Sequence, residues 1–581
     1  MNNSNLFMAM ALSAAILIGF HFFYEKPRQE AYRAAQLAQQ QAAAKQSGNA
    51  TQAVTATAPV VVAPATTTRA RVDRLKDSPR QAIATPALQG SINLTGARLD
   101  DLTLPHYREA VATDSPPVTL LSPSGTSAPH RGYYAEFGWL GDNIAMLPTA
   151  QTEWRSDSSA PLTPQRPVTL RWDNGGGLRF ERTIALDDQY MFTITDKISN
   201  DGAAAVTLHP YALVAHQGTP DHSTLLDGHI GPMGVFNGVL REHGFDDMIS
   251  QPEAVERSTG GWLGIGDKYW LVALIPDAQE TLTATFKYAA LPGQKPEDGQ
   301  FQADYRGAPV TVAAKGHTEY TRHLFAGAKR IELLDAYADQ YNITMFDMAI
   351  DFGWFRFLTK PFMLTLNWLG RQIGNVGIAI LVLTVMVKLL VLPLGIRSFR
   401  SMAKMKMLQP EILRINERYK DDAQRRGIET MELFRREKTS PVSGCLPILA
   451  QLPFFFALYK VLYIDIDMRH APFFGWIRDL SAPDPTSFAN LFGLLPFTPP
   501  TLLHIGIWPI LMGASMYLLQ KMSPRPPDPL QAQVIMMMPL VFTIMLAPSM
   551  ASGLIIYWTW SNLISIAQQF LIFRRMGVKT M

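Results

Sequence analysis

The sequence predicts a polytopic α-helical membrane protein, with six transmembrane helices and a large all-β sandwich domain outside the bilayer. Three observations predict it. Long apolar runs recur after Phe352, and one more lies near the N-terminus. Between them, from 90 to about 345, short alternating runs are separated by turn signals such as Asp173-Asn174-Gly175-Gly176-Gly177 and Asn200-Asp201-Gly202. Charge is sparse, 17% of 581 residues against 47% hydrophobic, and its basic part is concentrated in one stretch. The net charge of +3 implies no partner by itself. A single cysteine, Cys445, excludes an intramolecular disulfide and a cysteine metal cluster.

Leu6 to Phe23 is apolar except for Ser13, Gly19 and His21. It ends in bulky residues, Phe20 to Tyr24, where a cleavage site needs small ones. Residues 1–25 are therefore expected to be an uncleaved signal anchor. Residues 26–88 are rich in Ala, Gln, Thr and Pro and read as a low-complexity linker. Residues 89–350 hold the strand-like runs, for example VTLRW, GLRFERTIAL, YMFTITDKIS and TLTATFKYAA, with a helix expected near Arg330 to Tyr341. His209, His216, His222, His229 and His243 lie here without H-x-x-x-H spacing, so they read as surface or packing side chains rather than metal ligands.

Residues 351–374 mix Trp354, Phe357, Leu366 and Trp368 with Arg356, Lys360 and Arg371, which suits a helix lying in the membrane interface. Pro361 kinks it or starts its second part. The core, 375–575, opens with the run Gly374 to Pro393, long enough to cross a bilayer at about 20 residues. Inside it sit Lys388 and, one turn earlier, Thr384. A lysine in a spanning helix costs about 3 kcal/mol. Lys388 lies about 9 Å inside the helix end, within reach of snorkelling. Polar residues recur in the later spans, and this favours a wet cavity.

Residues 397–438 hold twelve Lys/Arg against seven Asp/Glu and read as a helical hairpin. Pro410 is a kink or the first turn of its first arm, and Asp421 or Asp422 caps the second. Three further apolar spans follow: Leu446–Ile464 with Gln451, Leu502–Leu519 with Ser515, and Val534–Ala547 with Met536, Met537 and Met538. A last one, Gly553–Phe573, precedes the tail 576–581. The Val534–Ala547 span is short, at fourteen residues or about 21 Å against about 30 Å of hydrocarbon. On the last span Trp558, Ser561 or Asn562, Ser565 and Gln569 fall three and four apart and share a face. Together with Lys388, Thr384 and Gln451 they make a candidate hydrated groove. Interhelical polar glue is the plain alternative.

Positive-inside places the hairpin and C-terminus in the cytoplasm. Parity then places the β domain outside and the N-terminus inside. Lys26, Arg28 and Arg33 follow the first span and oppose that orientation, but long domains translocate with little regard to charge.

The tracts SMAKMKMLQPEI, GCLPILAQLPFFFALYKVL, RHAPFFGWIRDLSAPDP, QKMSP and SGLIIYWTWSNLISIAQQFLI resemble the YidC branch of the YidC/Oxa/Alb membrane insertases, over roughly 352 to 575. The order of anchor, linker and β domain is similar to Gram-negative members. The resemblance implies a five-helix insertase core around a hydrophilic groove, a periplasmic β domain with a sugar-mutarotase-like fold, and a multi-pass protein of the bacterial inner membrane. It implies insertion and folding of inner-membrane proteins without covalent catalysis, cofactor or metal, alone or with the Sec translocon. The groove residues would be Lys388, Thr384, Gln451, Trp558, Ser561, Asn562, Ser565 and Gln569. Leu452, Pro453, Met536 and Met537 would offer apolar substrate contact. Met402, Met405, Arg414, Arg418, Arg425 and Arg426 would form a cytoplasmic docking surface. Implied partners are nascent membrane proteins, the ribosome, the Sec translocon with its accessory subunits, the signal-recognition-particle receptor and the lipid bilayer, with no specific nucleic-acid sequence. Where the family usually has arginine in the groove, this chain has Lys388, which unlike arginine can lose its proton when desolvated. No phosphate-binding glycine loop is present in the sequence. The competing reading is a small-solute transporter with Lys388 as counter-ion, but no internal repeat supports it. A carbohydrate-active enzyme on a membrane anchor would leave five spans and the hairpin unexplained.

Overall fold

The computed structural model describes residues 68–141, 147–220, 228–437, 439, 446–497, 499–500, 503–524 and 529–578. The expected anchor, nearly all of the linker, His222 and Cys445 lie outside the described residues. The described residues divide into two compact units, the larger drawn from within 68–400, 446–523 and 533–578, and the smaller from within 401–439, 524 and 529–532.

In the larger unit the alternating runs form two antiparallel sheets. One runs Arg80–Ala84, Gln89–Asn93, Arg98–Arg108, Tyr133–Leu140, Val206–Gln217, Gln300–Arg306, Thr281–Ala289 and Glu253–Thr259. The other runs Val239–Glu242, Gly231–Phe236, Trp262–Gly266, Trp270–Ile275, Gly316–Ala328, Met191–Asn200, Leu178–Leu186, Val168–Asp173 and Arg155–Ser156. Successive strand residues point to opposite faces. Leu178, Phe180, Ile184 and Leu186 thus face one core with Phe192, Ile194 and Ile198 of the next strand.

Arg182 and Asp196 occupy the same buried face. Arg182 donates to both carboxylate oxygens of Asp196 at 2.6 and 3.0 Å, Arg322 donates at 2.5 Å and the Trp139 indole N–H at 2.9 Å. Arg182 also donates to the Phe137 carbonyl at 2.9 Å and Arg322 to the Tyr211 carbonyl at 3.0 Å, while the buried Arg322 Nε has no partner among the described residues. Burial alone pushes the Asp196 carboxyl up, but Arg182 and Arg322 outweigh it and hold it below the usual range. Of the expected packing histidines, His216 and His229 are held against the Gly218 and Pro232 carbonyls at 2.8 and 3.2 Å.

The expected helix after the sandwich is α1, Ile331–Tyr341, ended by Asn342 in the left-handed region. Then come α2, Arg356–Ile373, and α3, Val376–Leu390. Gly374 adopts φ 74° between them, a backbone that favours glycine, and the Asn375 side chain caps α3 by accepting from the Ile378 N–H at 3.0 Å. Phe357 and Trp368 are exposed along α2, as is Trp354 just before it, while Met363 and Leu366 are buried, an amphipathic division that suits an interfacial helix. Pro361 lies inside α2.

The sandwich and the helices share one continuous core. Ion pairs rim it. Asp347 takes Arg356 at 2.5 Å and Lys360 at 2.8 Å, Glu332 takes Arg371 at 2.6 Å, and Asp351 takes Lys460 at 2.7 Å. Burial would raise the Asp347 carboxyl, but Lys360 and Arg356 hold it down.

The span expected to run unbroken to Pro393 breaks at Val391. Helix α4, Leu392–Met407, leaves α3 at 68°. The hairpin follows as α5, Gln409–Arg418, with Pro410 in its first turn, and α6, Ala423–Arg436, capped by the Asp422 carboxylate on the Arg425 N–H at 2.9 Å. Ile412, Leu433 and Phe434 are buried, and a cavity of about 460 Å³ is lined by Glu411, Arg414, Arg418, Glu429, Glu432 and Arg436.

The remaining helices are α7, Leu446–Ile464; α8, Ile507–Met522; α9, Pro529–Val541; and α10, Ser552–Arg575. A π-type turn, Phe542–Leu546, follows α9. The short fifth span is thus a helix that changes winding. Among the described residues no single helix is long and apolar enough to cross a membrane, and the bent pair α3–α4 is the one combination that passes by length and composition. Helix α10 has the length, 24 residues, but Ser561, Asn562, Ser565, Gln568 and Gln569 lower its hydropathy. What stands is a helical C-terminal half joined to a β-rich N-terminal half.

Candidate functional site

Lys388 projects from the last turn of α3 and is buried. Its ammonium donates to Gln451 Oε1 of α7 at 2.9 Å and to Ser565 Oγ of α10 at 2.8 Å. The Gln451 amide in turn donates to Ser561 Oγ at 2.8 Å. Ser561 and Ser565 sit one turn apart on α10, so one face of that helix meets both ends of the Lys388–Gln451 pair. Among the described residues no carboxylate lies within ion-pair distance of Lys388. The charge is therefore held by neutral acceptors alone.

Two small cavities flank this cation. One, about 10 Å³, is bounded by Phe362, Thr384, Val387, Phe454 and Tyr557. The other, about 40 Å³, is bounded by Val391, Leu392, Gly395, Ser565 and Gln568. A water needs about 10–15 Å³ by this measure, so the second has room for one or more. The site is a narrow crevice rather than a wide groove. Its larger part is lined by Val391 to Phe399, across the break between α3 and α4.

The other expected site residues divide. Thr384 borders the crevice but spends its hydroxyl on the Ile380 carbonyl at 2.7 Å. Asn562 points to α8 and donates to Ser515 Oγ at 3.0 Å, making it interhelical glue. Trp558 stacks edge-on against Phe455 at 5.0 Å and Phe542 at 5.5 Å. Gln569 is fully buried, and neither amide atom has a partner among the described residues. Leu452 and Met537 are exposed, Pro453 and Met536 half-buried. Of the expected docking set, Arg414, Arg418 and Arg425 are exposed, Arg426 half-buried, and Met402 and Met405 buried. The sequence reading missed Tyr557 and Gln568 as crevice walls and Ser515 as the partner of Asn562. Tyr557 stands one turn before Ser561, which was the available signal.

Two family models cover most of the chain: the YidC periplasmic domain over residues 80–365 and the 60Kd inner membrane protein over residues 368–579. A membrane protein insertase YidC of Methylorubrum extorquens is 47% identical, the match covering 100% of this chain and 96% of that relative. One from Bradyrhizobium diazoefficiens is 45% identical over 100% of this chain and 97% of the relative. The chain belongs to the YidC/Oxa family of membrane protein insertases. It is an inner-membrane insertase and chaperone, which works without covalent catalysis. Among solved structures, an active YidC insertase with its first transmembrane domain resolved matches 84% of this chain and 94% of that chain at 17% identity and a TM-score of 0.36.

Proposed function

We propose that the insertase receives the polar, translocated part of a nascent membrane protein at the Lys388 crevice while the apolar segment leaves along exposed helix faces into lipid. The observation that carries this is a buried ammonium whose partners, Gln451 and Ser565, are neutral and replaceable. A substrate carboxylate at 4 Å would gain about 4 kcal/mol at an effective dielectric of about 20. It would displace hydrogen bonds to a charged group worth about 1.5–3 kcal/mol each. The two nearly balance, so an acidic tail is attracted but not trapped, as a conduit requires. The unsatisfied amide of Gln569 extends the polar face one turn beyond Ser565. Leu452, Met536 and Met537 supply an apolar exit, with methionines adaptable to varied substrates.

In this reading six spans cross the inner membrane, five of them forming the core. The β domain is periplasmic, and the hairpin and C-terminus are cytoplasmic. The exposed arginines of α5 and α6 suit docking of the ribosome, the signal-recognition-particle receptor or the Sec translocon. The purified protein alone in liposomes is expected to insert a short single-span substrate. Folded protein that inserts nothing but carries a small solute would favour the transporter reading instead.

Two further outcomes concern the hairpin and the sandwich. The hairpin belongs to a separate compact unit. Deleting Pro410 to Phe434 is expected to leave the remaining helices protease-resistant while insertion falls severalfold; undiminished insertion by a stably expressed deletion removes the docking role. The sandwich has its own two sheets and supplies most of the core it shares with the helices, so a fragment from 68 to 341 is expected to fold alone as judged by a cooperative thermal transition. The protein lacking it should keep most insertion. Complete loss with intact helices would show the sandwich to be essential.

A further inference from the structure

In the segment joining α7 to α8, Ile466, Met468, Ile477 and Leu480 are buried, but its second half turns its apolar side chains outward. No Asp, Glu, Lys or Arg occurs between Asp484 and Lys521. Within that uncharged stretch Phe488, Leu491, Phe492, Leu494, Phe497 and Leu503 are exposed, Leu494 to 80%. A water-exposed loop would show the opposite distribution.

The base of the loop is knotted by one buried carboxylate. Asp484 accepts from the Thr486 N–H and hydroxyl at 3.0 and 2.7 Å, from the Trp508 N–H at 2.9 Å, and from the Trp476 indole at 3.1 Å. The two arms are tied across by Phe488 N–H to the Ile505 carbonyl at 3.0 Å and the Ser487 hydroxyl to the Leu503 carbonyl at 2.9 Å. At the tip Phe492 N–H donates to the Ser487 carbonyl at 2.7 Å, Leu495 N–H to Asn490 O at 3.0 Å, and the Asn490 amide to the Phe497 carbonyl at 3.2 Å. Several of the loop's backbone N–H and carbonyl groups are thus paired within it, which lowers the cost of entering hydrocarbon. Leu491 and Phe492 hold φ of 52° and 59°, in the left-handed region that costs a non-glycine residue about 1–2 kcal/mol. That strain is borne where both side chains are exposed.

We infer that residues 487–497, with Leu503, form a wedge inserted among the acyl chains of the leaflet at the α8 N-terminus. The inference rests on the reading that the helical half spans the bilayer. Lipid is the occupant for three reasons. Helix α8 has 16 residues, about 24 Å, and falls about 6 Å short of the hydrocarbon thickness, which apolar chain beside it could make up. The wedge is continuous with Ile510 and Leu511, exposed on the first turns of α8. Trp476, half-exposed and anchored by its indole N–H to Asp484, is the amphipathic ring expected at headgroup level beside it.

The test uses the chain's single cysteine. In a Cys445→Ser background, Leu494→Cys and Phe497→Cys each carry a nitroxide label in the full-length protein, reconstituted alone at low protein-to-lipid ratio in phosphatidylethanolamine–phosphatidylglycerol vesicles. Leu511→Cys reports the helix face and Val255→Cys, on a sandwich edge strand, reports water. Collision accessibility to oxygen relative to a nickel chelate is expected to be severalfold higher at 494 and 497 than at 255, and comparable to 511. Water-like ratios at 494 and 497 with a lipid-like 511 overturn the wedge alone. A water-like 511 overturns the spanning reading with it. Exclusion of both reagents with spin–spin broadening that grows with protein density would assign the loop to a second copy, and also overturns the proposal. If one cysteine variant does not fold, the other carries the result.

Discussion

Lys388→Ala is expected to reduce insertion of a substrate with an acidic translocated tail by about tenfold, about 1.4 kcal/mol, whereas Lys388→Arg retains most activity. The alanine removes the cation and leaves Gln451 Oε1 and Ser565 Oγ without their shared donor. The arginine keeps the charge beside the same acceptors, with the adjoining cavity of about 40 Å³ to take its larger head. Lys388→Glu should be worst, because it sets like charges together in a confined space. The full Coulomb attraction at 4 Å is about 4 kcal/mol at an effective dielectric of about 20, and displaced hydrogen bonds and water reduce it. Neutral-tailed substrates should respond least, since their apolar segments still leave past Leu452 and Met537. The measurement is one substrate with its tail charge varied, across the three variants at matched protein levels. Equal losses for acidic and neutral tails would show that Lys388 acts only through helix packing.

The second large effect lies in the sandwich. Asp196→Ala leaves Arg182 and Arg322 buried without a counter-charge. Breaking such a buried pair costs about 3–5 kcal/mol, because an uncompensated charge remains. In a domain of this size that lowers the Tm by about 10 °C. Thermal unfolding of the 68–341 fragment, wild type against Asp196→Ala, measures it; a shift under about 2 °C would mean that the guanidinium groups find other partners. The acid limb follows from the same carboxylate. Its folded pKa is depressed, since both arginines overcome the effect of burial. Its stabilisation is therefore complete above the unfolded value of about 3.9 and disappears as pH falls through the lower folded value. Wild-type stability should fall below about pH 4, and Asp196→Ala should lack this component.

Local chemistry wrote much of the fold into the sequence. The period-two runs became strands with the expected inward faces, as in Leu178–Leu186. Asn375, Asp422 and Gly374 marked helix ends because capping acts within a few residues. Lys388 stood out because a charge inside an apolar run is costly wherever that run ends up, and Ser561, Ser565 and Gln569 shared a face by helical geometry alone. What Lys388 touches was not legible. Its partners lie 63 and 177 residues away, and interhelical pairing depends on how α3, α7 and α10 pack. The same distance rule separated Asn562 from the crevice: its side chain meets Ser515 on α8, 47 residues back. Met402 and Met405 were expected on a docking surface, but the fold buries them. Nothing local marks Arg182, Asp196 and Arg322 as one buried cluster; the sheet pairing that sets their three strands side by side puts them in one core. The outward loop between Asp484 and Ile507 was visible as composition, whereas its inside-out build was decided by hydrogen bonds between its two arms. Propensity and capping are settled over one or two turns of chain. Burial and partnership are settled by which segments meet, and that is a property of the folded molecule.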